Sequence, residues 1–386
     1  MKERFESLIP IAPRPKTIFT EGRGSWLSDS EGHRYLDFIQ GWAVNTLGQC
    51  HPVIVDALHY QATRMLNPSP AFYNQPMVDL AKLLVANSTF DQVFFANSGA
   101  EANEGAVKLA RKWGATHRDG AFKVITFENG FHGRTLSMME ASGKPGWDRL
   151  FAPKAAGFIK VPYNNLDAVT DAIDNQTVAV MLEPIQGEAG VIPANPVFMR
   201  DLRKLTRENR LLLIIDEIQT GMGRTGTLFA HQQYGVEADI MTLGKGIGGG
   251  VPLSAMLVTE AVSCFEPGDQ GGTYNGNPLV CSAGCAVLHT LLKPGFLESV
   301  QSRSQYLHQG LSSLAMYNGL GGVRGRGLLL ALDTLQRDAK AITQLAFENG
   351  LLINAPRPNT LRFMPALNIS EEEIDLMLDI LGKILN

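Results

Sequence analysis

The sequence predicts an α/β protein whose large domain contains a mostly parallel sheet and whose smaller domain is α+β. The chain has 386 residues, which exceeds the roughly 100 to 200 residues of a usual single domain and favours two domains. Between about residues 53 and 292, helical periodicity alternates with short β-rich apolar runs, a pattern typical of a parallel sheet covered by helices. After Pro294 the pattern changes to an amphipathic helix, short strands and a final helix, which indicates the smaller domain.

The domain boundaries are placed at these changes of pattern. The first fifty residues are rich in turn formers, with short extended pieces at 25–27 and 35–38. We therefore expect residues 1–50 to form an N-terminal segment that contributes to the small domain. Residues 51–292 are expected to form the large domain, and residues 293–386 the C-terminal small domain.

Short apolar runs predict the individual strands. Those of the large domain are expected at 93–95, 123–127, 178–182, 211–215 and 240–243. Two more runs, at 328–332 and 361–364, predict strands of the small domain. The final helix has a marked start, because Ser370 followed by Glu373 forms a capping box. Its apolar side chains then share one face: Ile374, Met377, Leu378 and Leu381.

Composition and charge exclude several classes of protein. Apolar residues make up 45% of the chain and charged residues 19%, which is ordinary for a globular protein and excludes a disordered or collagen-like one. The 34 Lys and Arg nearly balance the 38 Asp and Glu, a net charge of -4 that argues against nucleic-acid binding. The partners that we expect are therefore small molecules and protein.

Cysteine usage and hydropathy predict where the protein resides. The four cysteines are too few and too irregularly spaced for a disulfide framework, and no C-x-x-C pair indicates a zinc site. The N-terminus has no long apolar run typical of a signal peptide, and no stretch approaches the roughly 20 apolar residues that span a bilayer. We expect a soluble cytoplasmic protein with free thiols and no bound metal.

The first candidate site is the loop that contains Ser98, Gly99 and Ala100. It follows a predicted strand and opens a predicted helix, and free N–H groups at a helix start favour an anion such as phosphate. The same residues have a purely structural interpretation, because Ser98 and Glu101 also match a capping box. The loop needs support from other parts of the sequence.

Two further candidates follow later strands. Asp216 comes directly after the run 211–215, at the end of a parallel strand where α/β proteins bind ligands. A helix cap or a buried salt bridge would explain it equally well. Lys245 follows the run 240–243 and lies among glycines. Burial there would lower the pKa of its amine and make it a usable nucleophile.

Three other features carry weaker signals. Residues 221–226 match G-x-G-x-x-G, but they begin five residues after Asp216 and no clear helix follows, so a dinucleotide site is disfavoured. Lys245 lacks the Ser or Thr that must follow the lysine of a P-loop. His132 lies near other candidate residues, although a lone histidine is more often structural than catalytic.

One cofactor accounts for the three main candidates together. Pyridoxal phosphate needs a cradle for its phosphate, an acid for its ring nitrogen and an amine for its carbonyl. The loop from Ser98 to Ala100 would supply the cradle, and Asp216 would keep the ring nitrogen protonated. Lys245 would form the Schiff base.

Eight ordered motifs along nearly the whole chain strengthen this interpretation. They are LGQCHP (47–52), NSGAEANE (97–104), FHGRT (131–135), EPIQGEAG (183–190), DEIQTGMGRTG (216–226), LGKGIGGGVP (243–252), GTYNGNP (272–278) and LRFMPAL (361–367). With these motifs the sequence resembles the class III pyridoxal-phosphate aminotransferases, in particular the acetylornithine and ornithine aminotransferase branch. The resemblance implies a fold-type-I transferase that acts as a homodimer with shared active sites.

The resemblance also implies roles for individual residues near the cofactor. Phe131 would stack on one face of the ring, Ile218 would press on the other, and Gln219 would hydrogen-bond near the ring hydroxyl. His132 is included among the cofactor-binding residues. Thr273 would reach the phosphate bound by the neighbouring subunit.

A second group of residues is implied in substrate binding. Arg134 and Arg362 resemble carboxylate clamps, for which the planar guanidinium is suited. Glu188 would neutralise Arg362 when the substrate has no carboxylate near its reacting amine. Gly272 is placed in the same group.

The implied reaction is transfer of the ω-amine of N2-acetylornithine, or a close ornithine-like donor, to 2-oxoglutarate, as in arginine biosynthesis. The chain departs from the branch pattern at Gln49, where His is common, at Gly272, where Ser is common, and at Trp42, where a smaller aliphatic residue is usual. Ornithine, 4-aminobutyrate, succinylornithine or N-acetyl-lysine therefore remain alternative donors. An intramolecular aminomutase, a dinucleotide-dependent oxidoreductase and a non-catalytic binding protein are further alternatives.

Overall fold

The computed structural model describes Phe5 and residues 7–386. In chain order the strands are β1 (Phe19–Arg23), β2 (Trp26–Asp29), β3 (Arg34–Asp37), β4 (Gln92–Ala96), β5 (Lys123–Phe127), β6 (Phe158–Val161), β7 (Thr177–Leu182), β8 (Ile185–Gln186), β9 (Ile192–Pro193), β10 (Leu212–Asp216), β11 (Ile240–Leu243), β12 (Ser254–Val258), β13 (Val323–Arg326), β14 (Leu329–Asp333), β15 (Leu351–Leu352), β16 (Asn354–Arg357) and β17 (Thr360–Phe363). The helices are α1 (Gln40–Ala43), α2 (Pro52–Ala62), α3 (Gln75–Ala86), α4 (Gly99–His117), α5 (Leu136–Ala141), α6 (Leu166–Ala172), α7 (Pro196–Glu208), α8 (Pro278–Leu291), α9 (Phe296–Tyr317), α10 (Ala339–Glu348) and α11 (Glu371–Leu385).

A seven-stranded sheet forms the centre of the molecule, in the order β4-β12-β11-β10-β7-β5-β6. The neighbours from β11 to β6 are parallel, whereas β12 is antiparallel to both β11 and β4. The predicted fold class, with a mostly parallel sheet, is confirmed. The sequence patterns do not predict β6, whose short run contains Lys160, or β12.

Strand alternation determines which side chains reach the same face of this sheet. Leu212 and Ile214 of β10 pack in the apolar cluster beneath α4, which includes Leu109. Because side chains alternate between faces with a period of two, Asp216 points to the same side as Leu212 and Ile214. Thr242 in β11 lies on that side for the same reason, since Ile240 also packs in this cluster.

The N-terminal segment and the C-terminal region are joined in two ways. β3 pairs with β15 in parallel, so the sheet β1-β2-β3-β15 contains strands from both ends of the chain. Glu373 of α11 also accepts hydrogen bonds from Ser25 Oγ at 2.9 Å and Trp26 Nε1 at 3.0 Å. The capping box of Ser370 and Glu373 is confirmed. The division of the chain at residues 50 and 292 stays a prediction.

The remaining sheets and helices complete this smaller region. β13, β14, β17 and β16 form an antiparallel sheet in that order, and α9, α10 and α11 pack beside it. In the described part of the chain, no single helix is long and apolar enough to cross a membrane. α8 and α9 meet that criterion only when joined, and they are bent by 75°.

Candidate active site

A cavity of about 270 Å³ lies at the carboxyl ends of β10 and β11. Its position agrees with the general rule that ligands of parallel α/β sheets bind beyond the carboxyl ends of the strands. It brings together most of the residues that the sequence singles out: Gly99, Ala100, Phe131, His132, Arg134, Asp216, Ile218, Gln219 and Lys245.

Ser98 begins the helix on one side of this cavity. Its side chain accepts a hydrogen bond from the Glu101 N–H, and Glu101 accepts from the Ser98 N–H at 2.8 Å and the Asn97 N–H at 2.7 Å. The capping box is therefore present, as the structural interpretation predicts. It leaves the N–H groups of Gly99 and Ala100, which have no partner within the helix, for an anion at the helix start.

Gly99 also allows a close approach that a side chain at this position would obstruct. A Cβ atom at this position would lie 2.7 Å from Ile218 Cδ1. Ile218 therefore packs directly against the loop from Ser98 to Ala100. The two predicted contacts with a flat ligand, at Ile218 and Phe131, both lie in the lining of the cavity.

Asp216 is buried and is held by three hydrogen bonds. Its Oδ2 accepts from Asn103 Nδ2 at 2.8 Å and lies 2.8 Å from His132 Nδ1, while its Oδ1 accepts from the Ile218 N–H at 3.0 Å. Asn103 is itself oriented by Thr242, whose hydroxyl donates to Asn103 Oδ1 at 2.7 Å. These hydrogen bonds connect α4 with β10 and β11 on the same face of the sheet. They hold the Asp216 carboxylate in one orientation.

His132 is buried beside this carboxylate. Burial alone would lower the pKa of its imidazole, but the hydrogen bond to Asp216 and the charges of Asp216 and Glu183 outweigh burial and raise it. Its second ring nitrogen, Nε2, is buried and has no hydrogen-bond partner among the described residues. His132 therefore orients Asp216, and one of its polar atoms remains available near the cavity.

Lys245 follows β11 and lines the cavity with its half-buried side chain. Its φ is 45°, in the left-handed region that a non-glycine residue rarely adopts outside functional sites. Burial lowers the pKa of its amine, although the nearby carboxylates of Asp216, Glu183 and Glu188 oppose that effect. A larger fraction of Lys245 is therefore neutral than of an exposed lysine, as the sequence predicts.

Glu183 is a site residue that sequence reasoning missed. It follows β7 and lines the cavity, and its Oε1 accepts from the Phe131 N–H at 2.9 Å. Burial raises the pKa of this carboxyl to about 7. Its position as the first residue of the motif EPIQGEAG, at the end of a parallel strand, is the signal that could have identified it. Asn103 could have been identified in the same way, from its place in NSGAEANE.

Arg362 and Glu188 form an ion pair beside the site. Arg362 is fully buried, and its Nη2 donates to Glu188 Oε1 at 2.8 Å. Burial alone would raise the pKa of Glu188, but the charge and hydrogen bond of Arg362 outweigh it and lower the pKa. Arg362 also donates to Asn354 Oδ1 at 2.9 Å, and Gln219 Oε1 lies 3.5 Å from its Nη1. Gln219 thus connects the cavity to this pair.

Trp42 covers the Arg362 guanidinium, which lies 5.6 Å from the centre of its ring. The indole is 49% exposed and belongs to α1, in which all four residues have positive φ. α1 is therefore a single left-handed turn, a conformation that costs free energy in non-glycine residues. Trp42 therefore lies beside the Arg362–Glu188 pair.

Arg134 lies at the mouth of the same cavity, and its side chain is exposed. The guanidinium carbon is 5.4 Å from the centre of the Trp147 ring, which is also 5.7 Å from the ring of Phe131. Among the described residues, Arg134 has no carboxylate partner. It is therefore available for an anion.

Thr273 and Gly272 do not lie in this cavity. Both are exposed, and Gly272 lines a different cavity of about 610 Å³ between α3 and β4. Within one chain, neither residue joins the group around Lys245. A role for Thr273 in binding phosphate therefore depends on a second subunit.

The G-x-G-x-x-G match at 221–226 is a series of buried turns and is followed by a short 3-10 helix over Ala230–Tyr234. Arg224, inside it, donates to the carbonyls of Leu328 and Pro365, and its burial lowers the pKa of the guanidinium to about 9. These contacts join the loop to the C-terminal region. The loop does not form the glycine-rich start of a helix that a dinucleotide requires.

A model of the aminotransferase class-III family matches residues 11–385 of the chain. The chain belongs to this family. The aminotransferase is 58% identical over 385 residues to acetylornithine aminotransferase 2 of Bordetella bronchiseptica, covering 99% of this chain and 97% of that protein. It is also similar to the crystal structure of N-acetylornithine aminotransferase from Stenotrophomonas maltophilia, with a TM-score of 0.84 and 37% identity over 96% of each chain. The ornithine aminotransferase of Toxoplasma gondii has a TM-score of 0.92 and 32% identity, covering 97% of this chain and 91% of that one.

The aminotransferase site fits the pyridoxal phosphate that this family uses. The two N–H groups left by the capping box suit a phosphate. The buried carboxylate of Asp216 suits a ring nitrogen, and the space between Phe131 and Ile218 suits a flat ring. The Lys245 amine faces the same cavity. These donors and acceptors match the cofactor's phosphate, ring nitrogen and carbonyl.

Proposed function

We propose that this protein transfers the ω-amine of N2-acetylornithine to 2-oxoglutarate, giving the semialdehyde and glutamate by a ping-pong mechanism. The observation that carries the proposal is the 2.8 Å ion pair of Arg362 with Glu188. A buried cation that already has a partner tolerates a donor without a carboxylate next to its reacting amine. The similarity to proteins named acetylornithine aminotransferase supports the same donor.

Four groups of residues would hold the cofactor. The N–H groups of Gly99 and Ala100, with the Ser98 hydroxyl, would bind its phosphate, and Asp216 would pair with its ring nitrogen. Phe131 and Ile218 would enclose the ring, and Lys245 would bind its carbonyl covalently. His132 orients Asp216. When bound, the cofactor supplies an electron sink for the substrate carbon.

Once the substrate's amine has displaced Lys245 from the cofactor's carbonyl, the freed amine of Lys245 would act as the proton carrier of the reaction. Its amine, neutral in a larger fraction because burial lowers its pKa, takes a proton from the substrate carbon that bears the reacting amine. It would then give that proton to the cofactor, so that Lys245 acts first as a general base and then as a general acid. Gln219 and Glu183 line the same cavity as the Lys245 amine.

Two arginines allow one site to bind two kinds of substrate. Glutamate has a carboxylate beside its reacting amine, which Arg362 binds once Glu188 moves away. Its other carboxylate, like the only carboxylate of acetylornithine, lies far from the reacting carbon and reaches Arg134. Glu188 returns to Arg362 when the near carboxylate is absent, because an unpaired buried charge is costly.

The proposal includes a homodimer in which Thr273 reaches the phosphate site of the neighbouring subunit. Large apolar side chains are exposed in the single chain on segments next to Thr273. Tyr274 follows it, Tyr73 lines the same cavity as Gly272, and Leu66 precedes Asn67, which donates to the Thr273 carbonyl. Apolar groups in such number are typical of a surface that contacts another protein. Gly272, on the same segment, would then face the partner's substrate. A cytoplasmic location also stays a prediction.

A single-turnover screen of amine donors tests the substrate. The cofactor-loaded protein is mixed in turn with acetylornithine, ornithine, succinylornithine, N-acetyl-lysine and 4-aminobutyrate, and the loss of cofactor absorbance is followed. We expect the ratio of the single-turnover rate constant to the dissociation constant to be largest for acetylornithine. Lys245→Ala, which lacks the proton carrier, serves as the control. A larger value for another donor would overturn the choice of acetylornithine and leave the reaction class in place.

A further inference from the structure

Two cations, Arg134 and Lys144, lie against the same aromatic side chain at the mouth of the site. The Arg134 guanidinium carbon and the Lys144 Nζ are each 5.4 Å from the centre of the Trp147 ring. Trp147 is only 9% exposed. The two charges can be no farther apart than twice that distance.

This arrangement concentrates positive charge at the mouth of the site. Cation–π contacts with the indole hold both charged groups in place and offset their mutual repulsion, but they do not neutralise either charge. Among the described residues, neither Arg134 nor Lys144 has a carboxylate or hydrogen-bonding partner for its charged group. By contrast, the nearby Lys154 and Lys160 both pair with Glu140, at 3.4 Å and 3.0 Å.

The position of Lys144 connects it with the substrate end of the site. Trp147 lies 5.7 Å from Phe131, which lines the cavity. Lys144 is also one of the cations whose charge contributes to the lowered pKa of Glu188, together with Arg362 and Lys245. Lys144 therefore lies within electrostatic reach of the residues that would bind the substrate, although it is absent from the motifs that identify the family.

We propose that Lys144 is a substrate-binding residue, which forms with Arg134 a two-cation clamp on Trp147 for the carboxylate far from the reacting amine. This inference rests on the proposed function for the identity of the donor. The ligand class is an ω-amino compound or dicarboxylate whose far end is anionic. Trp147 is a positioning residue, because its ring sets the distance between the two cations.

The first experiment measures binding without turnover. Glutarate, a dicarboxylate that has no amine, is titrated into the cofactor-loaded wild type and into Lys144→Met, Lys144→Arg and Arg149→Gln, with calorimetry as the readout. Arg149 is the matched control, because it lies two residues from Trp147 but is exposed and close to Asp148. We expect Lys144→Met to weaken glutarate binding about tenfold, a typical loss for a charge-assisted contact. Lys144→Arg should restore it, and Arg149→Gln should leave it unchanged.

The second experiment separates binding from chemistry. For acetylornithine, Lys144→Met should raise KM about tenfold and leave kcat nearly unchanged, whereas 1,4-diaminobutane, which has no carboxylate, should react equally with the variant and the wild type. Unchanged glutarate affinity in Lys144→Met, or an equal loss in Arg149→Gln, would overturn the clamp. A wild type that binds glutarate through Lys144 but does not use acetylornithine would overturn the proposed donor and leave the clamp in place.

Discussion

Asp216 accepts hydrogen bonds from two side chains and one backbone N–H, so its charge is held in a fixed direction. Asp216→Asn should leave the protein folded and able to bind cofactor but lower turnover about 100-fold or more, because the ring nitrogen loses its anionic partner. Steady-state kinetics, with circular dichroism to check folding, measures this. Asp239→Asn is the matched control, since Asp239 forms an ion pair with Arg203 outside the site. Near-normal turnover by Asp216→Asn would show that Asp216 is structural.

The Arg362–Glu188 pair predicts opposite effects on the two half-reactions. Arg362→Ala should slow the half-reaction with glutamate or 2-oxoglutarate about tenfold more than the half-reaction with acetylornithine, because only the former has a near carboxylate. Glu188→Ala should instead favour glutamate, since the unpaired Arg362 would hold near carboxylates more tightly. Single-turnover measurements of both half-reactions test this. If both substitutions slow both half-reactions equally, selectivity resides elsewhere, and Trp42 is the next residue to examine.

Glu183 predicts how the stability of the cofactor-free protein depends on pH. Its pKa is about 7 in the fold and 4.5 as its ordinary value, so the folded state binds more protons than the unfolded state between these values. Stability should therefore fall by about 1–3 kcal/mol as pH rises from about 4.5 to about 7. Glu183→Gln, which can still accept from the Phe131 N–H, should remove this loss. Urea unfolding at several pH values measures it, and an unchanged slope in the variant would contradict the assignment.

At the scale of elements, α11 connects both ends of the chain through its first turn. Ser370→Ala should lower the free energy of unfolding by about 1 kcal/mol through loss of the cap. Glu373→Ala should lower it by about 2 kcal/mol or more, because it also loses the bonds to Ser25 and Trp26. Urea unfolding measures both, and KM should not change. Ser302→Ala on α9 is the control, since its hydroxyl donates only within its own helix. Equal losses in all three variants would contradict this role.

The elements that could be predicted are those whose signal is local. Strands such as β7 and β10 are buried on both faces and are therefore continuous apolar runs, and α11 carries its own cap. The left-handed turn of α1 could not be predicted, because only Gly41 in it favours positive φ. Two contacts at this turn join distant parts of the chain. Trp42, within the turn, contacts Arg362. Thr46, just after the turn, donates its hydroxyl to the Gly246 carbonyl at 2.8 Å.

At the scale of the whole molecule, the position of Thr273 away from Lys245 predicts complementation between subunits. Thr273→Asp should repel the cofactor phosphate of the neighbouring site, and Lys245→Ala should abolish the proton transfer of its own site. Mixed and refolded together, the two inactive variants should regain about a quarter of the wild-type activity, because random pairing makes half of the dimers hybrid and each hybrid has one complete site. Activity after mixing measures this, and each variant refolded alone is the control. If mixing restores no activity, Thr273 does not serve the neighbouring subunit's site.

The fold class, the family and the candidate residues that follow strands can be identified from the amino-acid sequence alone, including Asp216, Lys245 and the loop from Ser98 to Ala100. These residues are identifiable because each belongs to a short motif at a strand end, where a local pattern has a defined place in the fold. Folding is what brings Asn103 and His132 to Asp216, buries Glu183, and places Lys144 against the same Trp147 ring as Arg134. Burial, pKa and the distance between two charges depend on residues far apart in the chain, and one sequence carries no record of those distances.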